Sequence, residues 1–140
     1  MFLSSSGWTR ACKTLLTASL LARPGPVLIA NADLAAPRDD GFSLEPGYFG
    51  HLLVDAGVSD VRFFGKLFAE VFDLAAQSLP DTPPGRIAMC GDTLHTDILG
   101  ASAKGWQTVL VAQDGLFVGH EMHDYCQRAG LFPNWRLNQI

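Results

Sequence analysis

The stretch Met89-Cys90-Gly91-Asp92-Thr93-Leu94-His95-Thr96-Asp97-Ile98-Leu99-Gly100 places two carboxylates five residues apart behind a glycine. Arg86 to Cys90 reads as a short buried strand and Ile98 to Lys104 as a helix closed by Gly105, so Asp92 and Asp97 fall on a strand-to-helix loop. In an open α/β sheet such loops line the ligand crevice at the carboxyl ends of the strands. Two acids there suit a cation.

Working outward, the same alternation recurs. Pro24-Gly25-Pro26 ends a first helix carrying Trp8, Ala11, Leu15, Leu16 and Ser19 at helical spacing, and Val27 to Ala30 follows as a buried strand. Residues 32–46 contain Pro37, the Asp39-Asp40-Gly41 turn and Pro46 without a sustained period, and read as a connection. A helix is expected from about Tyr48 to Ala56, ended by Gly57. Val61 to Phe64 reads as a strand delivering Gly65-Lys66, and Phe68, Val71, Phe72, Leu74 and Ala75 keep a helical period to about Ser78. After a proline-rich linker at 80–85 come the strand, acidic loop and helix quoted above, then a strand from Thr108 to Ala112 and a helix from Val118 to Ala129. The tail with Pro133 and Trp135 reads as a chain end. Right-handed crossovers would make the strands parallel with helices on both faces, bringing Lys66 and Asp92 to one carboxyl edge.

The chain has 140 residues, 48% hydrophobic and 17% charged, which suits one folded domain with a substantial core. A formal net charge of -4 and scattered Lys and Arg provide no basic stripe, so nucleic acid is not expected as a partner. Cys12, Cys90 and Cys126 are odd in number and widely spaced, which indicates neither a disulfide framework nor a zinc cluster. A reducing, cytoplasmic setting is expected. No apolar run approaches the roughly 20 residues of a membrane span. Residues 1–32 contain no acid and carry Arg10, Lys13 and Arg23, a pattern open to a targeting peptide or to a helix packed on the domain; the helical spacing and the late positive charges favour packing.

Among the chemistry-bearing residues, Asp92 follows a strand and a glycine, and its hard oxygen suits Mg²⁺ or else forms a local turn. Asp97 reads as a second acid of that site or as a cap at the next helix start. Lys66 is a compact charge able to neutralise phosphate, or solvated surface. Thr93 and Thr96 hydrogen-bond a ligand or complete the turn. His95 lacks a partner at helical spacing and an adjacent thiolate, so zinc is unsupported and a polar loop position is expected. His120 and His123 read as surface, Cys90 as a small apolar core residue, and His51 has no evident partner.

Taken together, Phe64-Gly65-Lys66, Gly91-Asp92-Thr93-Leu94-His95-Thr96-Asp97-Ile98 and Ala30-Asn31-Ala32-Asp33 resemble the haloacid dehalogenase (HAD)-like hydrolases, more narrowly the C-terminal half of the NagD-like subfamily IIA. The likeness runs from about Val27 to Gly115. It implies an α/β fold: a partial Rossmann-like core, residues 58–140, and the closing part of a C2-type cap, residues 1–57. It also implies that Lys66 is the catalytic and phosphate-binding lysine, that Asp92 and Asp97 are the metal acids, and that the cofactor is Mg²⁺. The substrate class would be a small phosphorylated metabolite.

Two departures stand out. Relatives usually read Gly-Lys-Pro and Ala-Asn-Pro-Asp where this chain has Leu67 and Ala32, which removes a proline's rigidity rather than a catalytic group. The family's nucleophilic Asp-x-Asp-Gly motif has no counterpart, since Arg38-Asp39-Asp40-Gly41 carries arginine where the nucleophile belongs. The expectation is therefore a C-terminal portion of a Mg²⁺-dependent phosphatase acting on phosphate monoesters, inactive alone and open to self-association at an exposed sheet edge. The alternative is a non-catalytic domain of the same descent that binds a phosphorylated ligand or a protein.

Overall fold

The structure is a computed structural model that describes residues 7–113 and 115–139. Residues 1–6, the beginning of the acid-free segment, lie outside the described residues. The chain divides into two compact units, one ending at Gly65 and the other starting at Lys66.

In the first unit, helix α1 (Arg10–Ala22) is capped by Thr9, whose hydroxyl accepts from the Cys12 N–H at 3.1 Å. Strand β1 (Val27–Ile29) pairs in parallel with β4 (Val61–Phe63), Val27 opposite Val61 and Ile29 opposite Phe63. Helix α2 (Pro46–Asp55) starts on a proline, whose missing N–H costs nothing in a first turn. Val27, Ile29, Phe49, Leu53 and Val58 form the buried core. Side chains of this size contribute about 1.5–3 kcal/mol each when fully buried. No residue of α1 is buried, so that helix is held more weakly. Trp8, Leu16 and Leu20 pack against the core, the first two from the expected set and Leu20 outside it. Ala11 and Ser19 are exposed and Leu15 is 71% exposed, because Trp8 sits against Phe49 with ring centroids 5.5 Å apart and turns the helix that way.

Residues 32–46 are not a plain connection. They contain an antiparallel hairpin of β2 (Ala35–Arg38) and β3 (Gly41–Leu44), with Ala35 opposite Leu44. Its closing tie is Glu45, only 5% exposed, which accepts from the Ser43 hydroxyl at 2.6 Å and from Arg38 Nη2 at 2.9 Å. Pro37 and the small residues hide the alternation that would have announced these strands.

In the second unit, helix α3 (Ala69–Gln77) is followed by β5 (Ala88–Gly91), α4 (Leu99–Ala103), β6 (Gln107–Val111), α5 (Met122–Ala129) and β7 (Trp135–Leu137). The three strands form a parallel sheet in the order β5-β6-β7, with Met89 opposite Thr108 and Leu110 opposite Arg136. Leu94, Ile98, Leu110, Ala112, Met122 and Cys126 make its core. Parallel strands and helices in both units give the expected mixed α/β class.

Several local expectations change. The strand expected to be buried from Arg86 to Cys90 has Ala88 and Cys90 exposed, because β5 is an edge strand and its alternate residues face away from the core. Cys90 is therefore no core residue. On α3 only Phe72 is buried, while Leu74 is 66% exposed, so the apolar period there does not mark a covered face. The last helix begins at Met122 because Gly119, at φ 74, interrupts the segment from Val118. The tail forms β7, too short for periodicity to reveal. Asn134 fastens it: its Oδ1 accepts from the Thr108 N–H at 2.9 Å and hydroxyl at 3.0 Å, and its own N–H donates to that hydroxyl at 3.0 Å.

Candidate functional site

At the carboxyl end of β5 the chain passes from Gly91 to Asp92 and into a π-helical turn, Leu94–Ile98, ahead of α4. The N–H groups of Asp97 and Ile98 both reach the Thr93 carbonyl, at 3.1 and 3.2 Å. A π turn holds one more residue than an α turn and recurs at functional sites. Asp97 does not serve as the cap at the start of α4. It lies inside the π turn, 1% exposed, with its Oδ2 accepting from the Thr93 N–H at 3.2 Å. Only glycine permits this at position 91, where a Cβ would stand 2.3 Å from Asp97 Oδ2.

Lys66 reaches the same acid. Its Nζ lies 2.9 Å from Asp97 Oδ1, while 42% of the lysine side chain remains exposed. The contact is an ion pair; Oδ1 receives no aligned hydrogen bond. Asp92 is half-buried, with Oδ1 accepting from the Thr93 hydroxyl and Oδ2 from the Leu116 N–H, each at 3.3 Å. Thr93 thus joins both acids, through its N–H to Asp97 and its hydroxyl to Asp92. These bonds lie just beyond the usual range, and a carboxylate has about four lone-pair sites, so Asp92 retains acceptor capacity. Asp92, Asp97 and Lys66 together carry one uncompensated negative charge, which suits a cation beside Asp92.

The fit to a hard cation is partial. Mg²⁺ takes about six oxygens, usually one or two carboxylates with water and phosphate oxygens. Asp92 and Asp97 match the carboxylate share, although Lys66 already occupies one side of Asp97. Among the described residues no group of three or more His, Cys, Asp or Glu is arranged to hold a metal ion.

The other candidates stand apart. His95 is exposed, as a polar loop position requires, and His123 is exposed on α5. The His120 ring lies 3.5 Å from the Tyr125 hydroxyl, and exposed His51 stacks on Phe63 at 4.6 Å, a partner the sequence did not suggest. The Thr96 hydroxyl is buried without a hydrogen-bond partner. In the first unit, Asn31 Oδ1 accepts from the Asp33 N–H at 3.0 Å, so that loop is a local Asx turn. Sequence reasoning missed the Gly115-Leu116 backbone that touches Asp92. The available signal was the pair Asp114-Gly115 in the sequence, soon after the strand expected from Thr108 to Ala112.

Residues 63–129 match the HAD-hydrolase-like family. Over that stretch the chain is similar to HAD-like hydrolases. A glycerol-3-phosphate phosphatase of Gallus gallus is 29% identical over 127 residues, an alignment covering 86% of this chain and 40% of that protein. Among solved structures, a possible sugar phosphatase of the HAD superfamily from Cytophaga hutchinsonii superimposes with a TM-score of 0.81 at 24% identity, covering 98% of this chain and 50% of that one. A p-nitrophenyl phosphatase from Archaeoglobus fulgidus does so with a TM-score of 0.77 at 22% identity, covering 99% of this chain and 52% of that one. At these identities the structural likeness concerns the fold. The chain spans about half the length of these structures.

Proposed function

We propose that this HAD-like chain supplies the lysine and acidic-loop portion of a Mg²⁺-dependent phosphate monoester hydrolase of the NagD-like kind. The reading rests on one observation: Lys66 pairs with Asp97, and Thr93 ties Asp97 to Asp92. In this reading Lys66 holds a phosphoryl group, Asp92 is the metal ligand, and Asp97 fixes the lysine while supporting the metal's water shell. Bound Mg²⁺ would neutralise phosphoryl oxygens, a role its hard-oxygen preference suits. Residues 1–57 correspond to the closing part of a cap and 58–140 to the core. The substrate class of the whole enzyme is a small phosphorylated metabolite, and its setting is the cytoplasm.

The 140 residues carry no Asp-x-Asp-Gly motif, so no aspartyl-phosphate intermediate is assigned to them. The isolated chain is expected to show negligible Mg²⁺-dependent hydrolysis of an aryl phosphate while binding Mg²⁺ or Mn²⁺ weakly through Asp92. Turnover above a mock preparation that disappears in Asp92→Asn would overturn the inactivity. Metal binding unchanged in that variant would overturn the role of Asp92. The same missing motif favours a second reading, a non-catalytic domain that binds a phosphorylated ligand; phosphate binding that needs Lys66 but no metal would support it.

A further inference from the structure

The carboxylate of Asp92 is gripped from two sides. Its own neighbour Thr93 holds Oδ1, whereas the Leu116 N–H, 24 residues further along, holds Oδ2. The segment after β6 must come very close to make that second bond. A Cβ built on Gly115 would stand 2.1 Å from Asp92 Oδ2 and 2.2 Å from Asp92 Cβ. The second distance decides the matter, because Oδ2 can swing away about χ1 but Cβ is fixed by the backbone. Gly115 is buried, and what these distances require of the position is space.

We propose that Gly115 is a positioning residue for Asp92: its missing side chain lets the Leu116 N–H close on Oδ2 and set the direction in which the carboxylate faces a cation. This rests on the reading of Asp92 as a metal ligand. With one protein donor on each oxygen, the carboxylate is held against rotation and still keeps free lone pairs for a metal. Partners of this kind orient a ligand without touching the metal, and their loss typically costs about 10- to 100-fold in metal affinity.

The test uses the full chain and four variants: Gly115→Ala, Asp92→Gly, the two combined, and Gly85→Ala, whose added Cβ meets nothing within 4 Å. Mn²⁺ affinity is read by electron paramagnetic resonance and the Leu116 amide by ¹⁵N–¹H NMR. Gly115→Ala should weaken Mn²⁺ binding about 10- to 100-fold and move the Leu116 resonance toward its position in Asp92→Gly. Gly85→Ala should do neither. A folded Gly115→Ala protein with wild-type Mn²⁺ affinity and an unmoved Leu116 amide overturns the proposal. Should Gly115→Ala not fold, adding Asp92→Gly removes the colliding atoms and should restore folding; failure to restore it also overturns the proposal. A wild-type chain that binds no Mn²⁺ refutes Asp92 as a metal ligand, and the Leu116 resonance and the rescue then decide separately whether Gly115 holds the carboxylate.

Discussion

Leu67, directly after the site lysine, has a φ of 86, in the left-handed region where a branched hydrophobic side chain is unfavourable. Proline, which the resemblance to Gly-Lys-Pro would place at this position, is locked near φ −65 and has no access to that conformation. The Gly-Lys-Leu turn is therefore a different backbone, not a softened Gly-Lys-Pro. Leu67→Pro is expected to destabilise the chain by more than about 1 kcal/mol, read as a lowered urea midpoint. Leu67→Asn, whose side chain tolerates left-handed backbone, should stay closer to wild type. At this scale Lys66 and Asp92 were legible as candidates because each follows a glycine at the end of an expected strand, and Asp97 as the second acid of the same loop. The Thr93 and Leu116 N–H groups were not, since backbone donors leave no trace in residue type. Burial of Asp97 was equally hidden, because it depends on a π turn that no sequence period distinguishes from an α turn.

Helix α4 shows how packing can reverse a propensity. Gly100 lies inside it, and alanine there would by itself gain about 1 kcal/mol of helix propensity. Its Cβ, however, would stand 2.3 Å from the Phe72 ring and 3.2 Å from the Leu67 Cα. Phe72 is 4% exposed and meets Trp106 edge-on at 5.6 Å, and a backbone atom has no rotamer to change. Overpacking of this kind costs about 1–3 kcal/mol, so Gly100→Ala should lower the melting temperature. Phe72→Leu in the same chain should return part of the loss. The helices and parallel strands were largely legible from period and from proline and glycine punctuation. The hairpin β2-β3 and strand β7 were not, because Glu45 and Asn134 hold them through side-chain bonds that periodicity does not register.

Across the molecule, large apolar side chains stand open to solvent: Leu15, Phe42 and Leu52 in the first unit, and Leu74, Phe132 and Trp135 in the second. Where such side chains adjoin into a contiguous patch, they favour association. A dimer or larger assembly is expected by light scattering at micromolar concentration, and a monodisperse monomer would count against it. Changes in chain length, too, should be felt unevenly along the molecule. Deleting Asp81 shortens an exposed turn and should leave the fold intact. Deleting exposed His95 removes no packing, yet it shortens the five-residue π turn to four and rotates the residues after it by about 100° relative to those before it. Asp97 would then swing off Lys66 and Thr93, a loss that His95→Ala should not reproduce when the two are compared by melting temperature. The acidic loop is thus counted as well as spelled: a single codon lost within it disconnects the site while every chemically active residue is retained.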